Sequence, residues 1–176
     1  MEEKKYAVLI DGDNISSKYL DSILNEMTKY GIATYKRIYC DFTSQQSSKW
    51  RRLVRDSGIQ AMQQFANTVG KNATDSTLII DAMDILYTGN VDGFCIVSSD
   101  GDFTRLAIRL KESGMDVIGM GESKTPRSFR AACTVFTDLE ILYEAESEDD
   151  EISTKGKKAA VKHNVVKVSE IENVII

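Results

Sequence analysis

The chain has 176 residues, of which 42% are hydrophobic, and this is enough to build the core of one ordinary domain. Its 22 Lys and Arg against 27 Asp and Glu give a formal net charge of −5, which argues against tight, non-specific nucleic-acid binding through many phosphate contacts. The start of the sequence, MEEKKYAVLID, is charged and then only briefly apolar, so we expect neither a signal peptide nor a membrane span but a cytoplasmic protein.

Histidine is nearly absent, which excludes several kinds of catalytic site. The single histidine, His163, lies in a charged C-terminal segment. A Ser-His-Asp or Cys-His nucleophile, a pair of histidines acting on RNA and a histidine-ligated transition metal all need imidazole in the folded core. Cys40, Cys95 and Cys133 are far apart and form no C-x-x-C pair, so we expect reduced, mostly buried thiols. Catalysis by carboxylates is the kind of site chemistry that these absences leave open.

Short apolar runs alternate with segments of helical period along the chain. In chain order the pattern predicts strands at residues 6–10, 32–40, 59–65, 94–97, 115–120 and 135–136, with helices between them at 15–30, 45–56, 74–87, 103–111 and 126–132. Strands separated by helices imply right-handed crossovers. We therefore predict an α/β fold, a three-layer, doubly wound and mainly parallel sheet with helices on both faces.

The C-terminal part differs in composition from the rest. Residues 144–164 are densely charged and predict a linker or a disordered segment, which would end a single folded domain at residue 143. Residues 165–176, VVKVSEIENVII, are apolar again. This extension could be an extra helix or strand that docks on the domain, or the beginning of a further module.

Two of the predicted strands end in acidic residues. Asp11 follows the first strand, with Asp13 and Asn14 in the same turn, and Asp100 and Asp102 follow the strand that ends at residue 97. In open parallel sheets the functional crevice lies beyond the carboxyl ends of the strands. If these two strands are neighbours, at a spacing of about 4.8 Å, their acids face one crevice.

The helix predicted at 74–87 adds two more acids. Asp75 lies in its first turn, where Thr74 could be the N-cap and Asp75 could simply complement the helix dipole. Asp81 lies six residues later, roughly 120° around the helix, so we expect it to support the site from outside rather than to share the direction of Asp75.

A group of carboxylates at one strand edge predicts a metal site. Acids that are pushed together repel one another unless a cation neutralises them, and a set of oxygen ligands without His or Cys selects Mg²⁺ or Mn²⁺ over zinc. Such an ion binds a scissile phosphate and activates water. Asn14 could orient that water or a phosphate oxygen, and the hydroxyls of Ser98 and Ser99 could donate to a phosphate.

Three motifs in this order resemble a known family. L-I-D-G-D-N at residues 9–14, G-K-N-A-T-D-S-T-L-I-I-D-A-M-D at 70–84 and V-S-S-D-G-D-F at 97–103 resemble the NYN domain, a branch of the PIN-like nuclease fold that includes the LabA-like bacterial proteins. The resemblance extends from Lys5 to about Tyr143.

The resemblance implies a metal-dependent ribonuclease, an endonuclease acting on single-stranded RNA with Mg²⁺ or Mn²⁺. Asp13 and Asp81 would support the site, and Asp81 matches an acid that recurs in the middle motif of the family. Members often carry a C-terminal winged-helix-like RNA-binding module, of which residues 165–176 could be a stub. The fold class is also compatible with a homodimer. The implied catalytic residues are Asp11, Asn14, Asp75, Asp100 and Asp102, with the four aspartates as metal ligands.

Basic residues near the same edge are candidates for phosphate binding. Lys124, Arg127 and Arg130 follow the end of a predicted strand, and Lys71 lies just before Asp75. A second basic cluster surrounds Trp50, at residues 49–55, and could hold RNA with the indole stacked on a base. The alternative is that Trp50 lies in the core and the cations are solvated.

Other interpretations remain open on the sequence. The acids at residues 11, 100 and 102 could serve turn geometry alone, and Asp13 could cap the helix that begins near Ile15. The D-G-D run after the first strand also matches a haloacid-dehalogenase-type phosphatase, in which Asp11 would form an aspartyl phosphate. A PIN-like scaffold that binds RNA or protein without cleaving is a further alternative.

Overall fold

A computed structural model describes residues 2–65 and 73–156, with the backbone alone for residues 73–76. The chain divides into two compact units, Met1–Glu140 and Ile141–Ile176. The first unit contains a sheet with its covering helices, and the functional residues predicted from the sequence fall within it.

The sheet of the first unit has six strands, all of them parallel. Their order is β3-β2-β1-β4-β5-β6, so the chain winds outward in one direction from β1 and in the other from β4. This confirms the predicted three-layer α/β architecture. The strands are β1 (Lys5–Asp11), β2 (Ile32–Cys40), β3 (Gln60–Gln63), β4 (Gly93–Val97), β5 (Asp116–Gly121) and β6 (Val135–Asp138).

Within the described part of the first unit, five helices cover the sheet, and three short 3-10 turns lead into helices. The helices are α1 (Leu20–Met27), α2 (Ser48–Ser57), α3 (Ala73–Thr88), α4 (Thr104–Glu112) and α5 (Arg127–Ala132), and the 3-10 turns are Ser17–Tyr19, Gln45–Ser47 and Gly101–Phe103. The predicted helix over 15–30 is therefore shorter than expected. Its first turn is tight because the Ser16 side chain accepts from the backbone N–H of Lys18.

The central strands β1 and β4 are buried on both faces, which explains why their sequences are continuous apolar runs. On one face Leu9 and Ile96 pack with Leu78 of α3, Leu106 of α4 and Phe129 of α5 in a single core cluster. Alternation along the strands turns the intervening residues to the opposite face. The three cysteines are buried and free, as the sequence predicted.

In the second unit, residues 141–156 are helical. The described part of the predicted linker, residues 144–156, is therefore helical. The remaining linker residues and the apolar extension at 165–176 lie outside the described residues, so the three predicted domain ranges stay predictions. Among the residues described, no helix has the length and apolar composition needed to cross a membrane.

Candidate active site

The candidate site lies at the carboxyl edge of the sheet, where the strand order changes direction between β1 and β4. Ile10 is paired with Val97, so Asp11 at the end of β1 lies beside the segment that follows β4. The sequence left open whether these two strands are neighbours, and the sheet order shows that they are. This switch point is the position at which open parallel sheets bind their ligands.

Asp11 is a fully buried carboxylate held by two side chains. Its Oδ2 accepts from Ser98 Oγ at 2.8 Å and from Asn14 Nδ2 at 2.9 Å, and Asn14 Nδ2 lies 3.2 Å from Oδ1. Burial raises the pKa of Asp11 to about 6, the two hydrogen-bond donors oppose that rise, and the charges of Asp13 and Asp100 add to it. At neutral pH Asp11 is therefore an ionised group that its surroundings only partly stabilise.

Ser98 connects Asp11 to the loop after β4. While its Oγ donates to Asp11, it also accepts from the backbone N–H of Asp100 at 3.0 Å. A Cβ added at Gly121 of β5 would lie 2.5 Å from the Ser98 carbonyl oxygen, so glycine permits β5 to approach this loop. The Ser99 hydroxyl accepts from the backbone N–H of Glu122 at 2.9 Å. Ser98 donates its O–H to Asp11, whereas the Ser99 hydroxyl acts as an acceptor, so the expectation that these serines donate to a phosphate stays a prediction.

Asp100 immediately precedes the 3-10 turn Gly101–Phe103, and Asp102 lies within it. Asp100 Oδ1 accepts from the backbone N–H of Asp102 at 2.9 Å, so Asp100 does serve as an N-cap. Asp100 is partly exposed and Asp102 is exposed. Asp100 thus has the role in turn geometry that the sequence offered as one alternative. This role does not explain why the charge of Asp100 raises the pKa of Asp11.

Asp13 does not cap the following helix. Its Oδ1 accepts from the backbone N–H of Asp41 at 3.1 Å, and the cap of the next turn is Ser16. Asp13 therefore joins the loop after β1 to the end of β2, while its charge raises the pKa of Asp11.

The two candidate site acids of α3, Asp75 and Asp81, have different surroundings. Asp75 lies in the first turn of α3, which packs against β1, β2 and the Gly101–Phe103 turn, but its side chain lies outside the described residues. Asp81 Oδ2 accepts from Tyr39 Oη at 2.6 Å and from Arg37 at 3.0 Å. Asp81 thereby holds α3 to β2, and Tyr39 is the residue paired with Asp11.

The sequence did not single out Arg37 and Tyr39. Burial, and then the hydrogen bond to Asp81, raise the pKa of Tyr39 far above its usual range, so its hydroxyl stays a donor. An arginine in the middle of an otherwise alternating strand is the signal that could have identified this contact, because an inward-facing cation in a strand needs a buried acid.

The basic residues divide into two groups. Lys124 and Arg127 are exposed, as a phosphate-binding role requires. Arg130 instead donates to the carbonyl oxygens of Glu122, Ser123 and Thr125 and covers the ring of Phe136 at 4.4 Å. Arg130 therefore shapes the loop after β5, and its expected contact with RNA stays a prediction.

The remaining candidates for RNA contact are Trp50 and Lys71. Trp50 is only 3% exposed and donates its indole N–H to the carbonyl oxygens of Gly12 at 3.0 Å and Ile15 at 3.3 Å. The core interpretation of Trp50 is correct, and stacking on a base is excluded. Lys71 lies outside the described residues.

The oxygen donors at this edge can be tested against the divalent ion that the sequence predicts. Among the side chains that the structure describes, no group of three or more acids, histidines or cysteines is close enough to hold a metal ion. The donor chemistry nevertheless fits a hard cation, because Asp11 is a buried carboxylate whose charge is only partly compensated. The described residues thus have the right ligand chemistry for a divalent ion. Whether the site provides enough ligands depends on Asp75, whose side chain lies outside the described residues.

An open parallel sheet with carboxylates at its switch point is the architecture of PIN-like nuclease domains. The family model described as the NYN domain matches residues 5–140, and the chain belongs to the NYN domain family. This confirms the resemblance seen in the three motifs. NYN domains are generally PIN-like nuclease domains that act on RNA and typically use divalent metals.

The proteins that are similar to this chain include two from different organisms. The first is "Uncharacterized protein MJ0482" of Methanocaldococcus jannaschii, 26% identical over 174 residues, which are 96% of this chain and 66% of the relative. The chain therefore spans slightly less than two thirds of that relative. The second is the crystal structure of VPA0982, a protein of unknown function from Vibrio parahaemolyticus, with a TM-score of 0.65 and 19% identity over 78% of this chain and 93% of that one. This second similarity supports the fold alone.

Proposed function

We propose that this protein is a Mg²⁺- or Mn²⁺-dependent endoribonuclease of the LabA-like branch, which hydrolyses phosphodiester bonds of single-stranded RNA. The observation that carries the proposal is the buried Asp11 carboxylate at the switch point, with its pKa raised to about 6 and with Asp100 close enough to add to that rise. Strongly shifted carboxyl groups in a crevice are typical of sites that bind cations or perform acid–base chemistry.

Each residue of the candidate site would have a distinct role. Asp11, Asp75, Asp100 and Asp102 would hold the ion. When bound, a divalent ion lowers the pKa of an attacking water and neutralises charge on the scissile phosphate. Asn14 and Ser98 fix the orientation of the Asp11 carboxylate through the hydrogen bonds described above.

Basic residues near the site would bind the RNA backbone. Exposed Lys124 and Arg127, together with Lys71, would bind the phosphates on either side of the cleaved bond.

Residues 1–143 would form the nuclease domain, with 144–164 as a linker and 165–176 as a C-terminal extension. A cytoplasmic location and a homodimer stay predictions.

The decisive experiment compares three purified proteins on a single-stranded RNA with Mn²⁺. We expect the wild type to cleave, a chelator to stop cleavage, and Asp100→Asn to lose activity by about 100-fold or more, as removal of one charge-stabilising group does. The matched control is Asp84→Asn, because Asp84 is an exposed acid of α3 away from the sheet edge. Equal activity in the wild type and in Asp100→Asn would indicate a contaminating nuclease and contradict the proposal.

One observation favours a second candidate function, a scaffold that binds RNA or protein without cleaving it. The described acids do not by themselves form a three-ligand group. If RNA binds with the same affinity with and without Mn²⁺ and remains intact over long incubation, the scaffold function is the correct one.

The phosphatase alternative is disfavoured by the surroundings of Asp11. A nucleophilic aspartate must direct a free carboxylate oxygen at a phosphorus atom, whereas both carboxylate oxygens of Asp11 accept hydrogen bonds from Asn14 or Ser98. Formation of a hydroxylamine-sensitive phosphoenzyme would nevertheless establish it and refute the nuclease.

A further inference from the structure

A polar cleft of about 570 Å³ lies next to the loop that carries Asn14. Three parts of the chain form its walls, namely the loop after β1, the 3-10 turn Gln45–Ser47 with the start of α2, and Glu122 after β5. The cleft volume falls in the range of about 300–1,000 Å³ that is usual for small-molecule sites. Its lining includes Asn14, Ser17, Gln45, Gln46, Ser48 and Lys49.

The lining is chemically unusual for a nucleic-acid protein because it is mostly neutral. Amides and hydroxyls dominate, while Lys49 is accompanied by the acids Asp13 and Glu122. Within the described part of the chain, the side chains of Gln45, Gln46 and Ser48 form no hydrogen bond with another protein group. Such a surface does not suit a run of phosphates, but it suits hydroxyl groups and the edges of bases, which need both donors and acceptors.

The cleft communicates directly with the candidate active site through Asn14. This residue lines the cleft, and its Nδ2 donates to the Asp11 carboxylate at 2.9 Å. A ligand that touches Asn14 from the cleft is therefore one side chain away from the buried acid.

The wall of the cleft is held firmly in place. Trp50 lines it and ties α2 to the loop after β1, because its indole N–H bonds the carbonyl oxygens of Gly12 and Ile15. Glycine is needed at position 12, since a Cβ there would lie 2.8 Å from Ile38 Cγ1. The cleft is thus preorganised, which reduces the entropic cost of binding.

We propose that this cleft binds the nucleoside next to the scissile phosphate, with Gln45, Gln46 and Ser48 contacting the ribose hydroxyls and the base edge. The inference rests on the proposed function, because it places the RNA backbone at Asp11. It adds a preference for RNA over DNA, since the 2′-hydroxyl is both a donor and an acceptor that a neutral polar lining can bind.

The chain provides its own probe for this site, because it contains one tryptophan and that residue lines the cleft. The full-length protein is titrated in EDTA with a single-stranded RNA hexamer of mixed sequence, and separately with the DNA hexamer of the same sequence. Trp50 fluorescence and its indole N–H resonance are followed. We expect a saturable change with RNA and an affinity for DNA that is lower by about 5-fold or more, as loss of one or two hydrogen bonds predicts.

Variants of the cleft residues test whether the change in the Trp50 signals comes from binding in the cleft. The double variant Gln45→Ala, Gln46→Ala should weaken RNA binding by about 5- to 30-fold, whereas Gln60→Ala, an exposed glutamine on β3, should bind like the wild type. Equal binding by both variants, equal affinity for RNA and DNA, or RNA binding without any response of Trp50 would overturn the proposal. Since EDTA prevents metal-dependent cleavage, a protein that binds here but never cleaves would refute the proposed function and leave the nucleoside site standing.

Discussion

At the scale of single residues, Asp11 is a charged group in a fully buried position, and its burial opposes its ionisation. The pKa is raised from 3.8 to about 6, chiefly by burial. Because the folded protein retains this proton to higher pH than the unfolded chain, the stability it contributes is present below about pH 4 and is lost as the pH rises through about 6. The ionised form therefore costs the folded state on the order of 3 kcal/mol, at about 1.36 kcal/mol for each pKa unit.

Replacing this charge should stabilise the protein at neutral pH. We expect Asp11→Asn to raise the free energy of unfolding by about 1–3 kcal/mol near pH 8 in EDTA, and to give little gain below about pH 3, where Asp11 is protonated in both states. Urea unfolding across this pH range measures both values. Asp84→Asn is the control and should follow the wild-type profile. Parallel pH profiles for Asp11→Asn and the wild type would show that Asp11 is not the group that titrates.

At the scale of secondary-structure elements, the contact of Tyr39 and Arg37 with Asp81 fixes α3 against β2. The Tyr39 hydroxyl is buried and lies 2.6 Å from Asp81 Oδ2, and the ion pair of Arg37 with Asp81 is mostly shielded from solvent. Hydrogen bonds to charged groups of this kind contribute about 1.5–3 kcal/mol. This contact stabilises the position of the helix whose first turn contains Asp75.

Tyr39→Phe should therefore lower the melting temperature by about 3–10 °C, at roughly 2–4 °C for each kcal/mol in a chain of this length. Tyr35→Phe is the matched control, because Tyr35 lies on the same strand and its hydroxyl bonds Asn90 in an exposed pair. That control should change the melting temperature by less than about 2 °C. A double-mutant cycle with Asp81→Asn measures the coupling, and a coupling energy near zero would contradict this role of the pair.

At the scale of the whole molecule, a bound ion should stabilise the native state, because the ligands come together only when the chain is folded. The acids at residues 11, 75 and 100 lie on three separate elements, β1, α3 and the loop after β4. A ligand at a concentration 100 times its dissociation constant stabilises by about 2.7 kcal/mol. This corresponds to about 5–10 °C for a chain of this size.

We accordingly expect millimolar Mn²⁺ or Mg²⁺ to raise the melting temperature of the wild type by about 5–10 °C near pH 8, measured by calorimetry against EDTA. Asp11→Asn should lose most of this shift, and Asp84→Asn should retain it. Identical melting curves with and without metal would show that the carboxylates bind no cation. This result would favour the scaffold function.

The sequence by itself determined the alternation of strands and helices, the parallel sheet and the acids at the ends of β1 and β4, because hydrophobic period and turn residues are local properties of the chain. It could not show which partners the polar side chains choose. Ser98 meets Asp11 across 87 residues, Asp81 meets Tyr39 across 42, and Asp13 meets Asp41 across 28. These pairings, and the cleft beside Asn14, depend on how distant segments pack, and only the tertiary structure decided them.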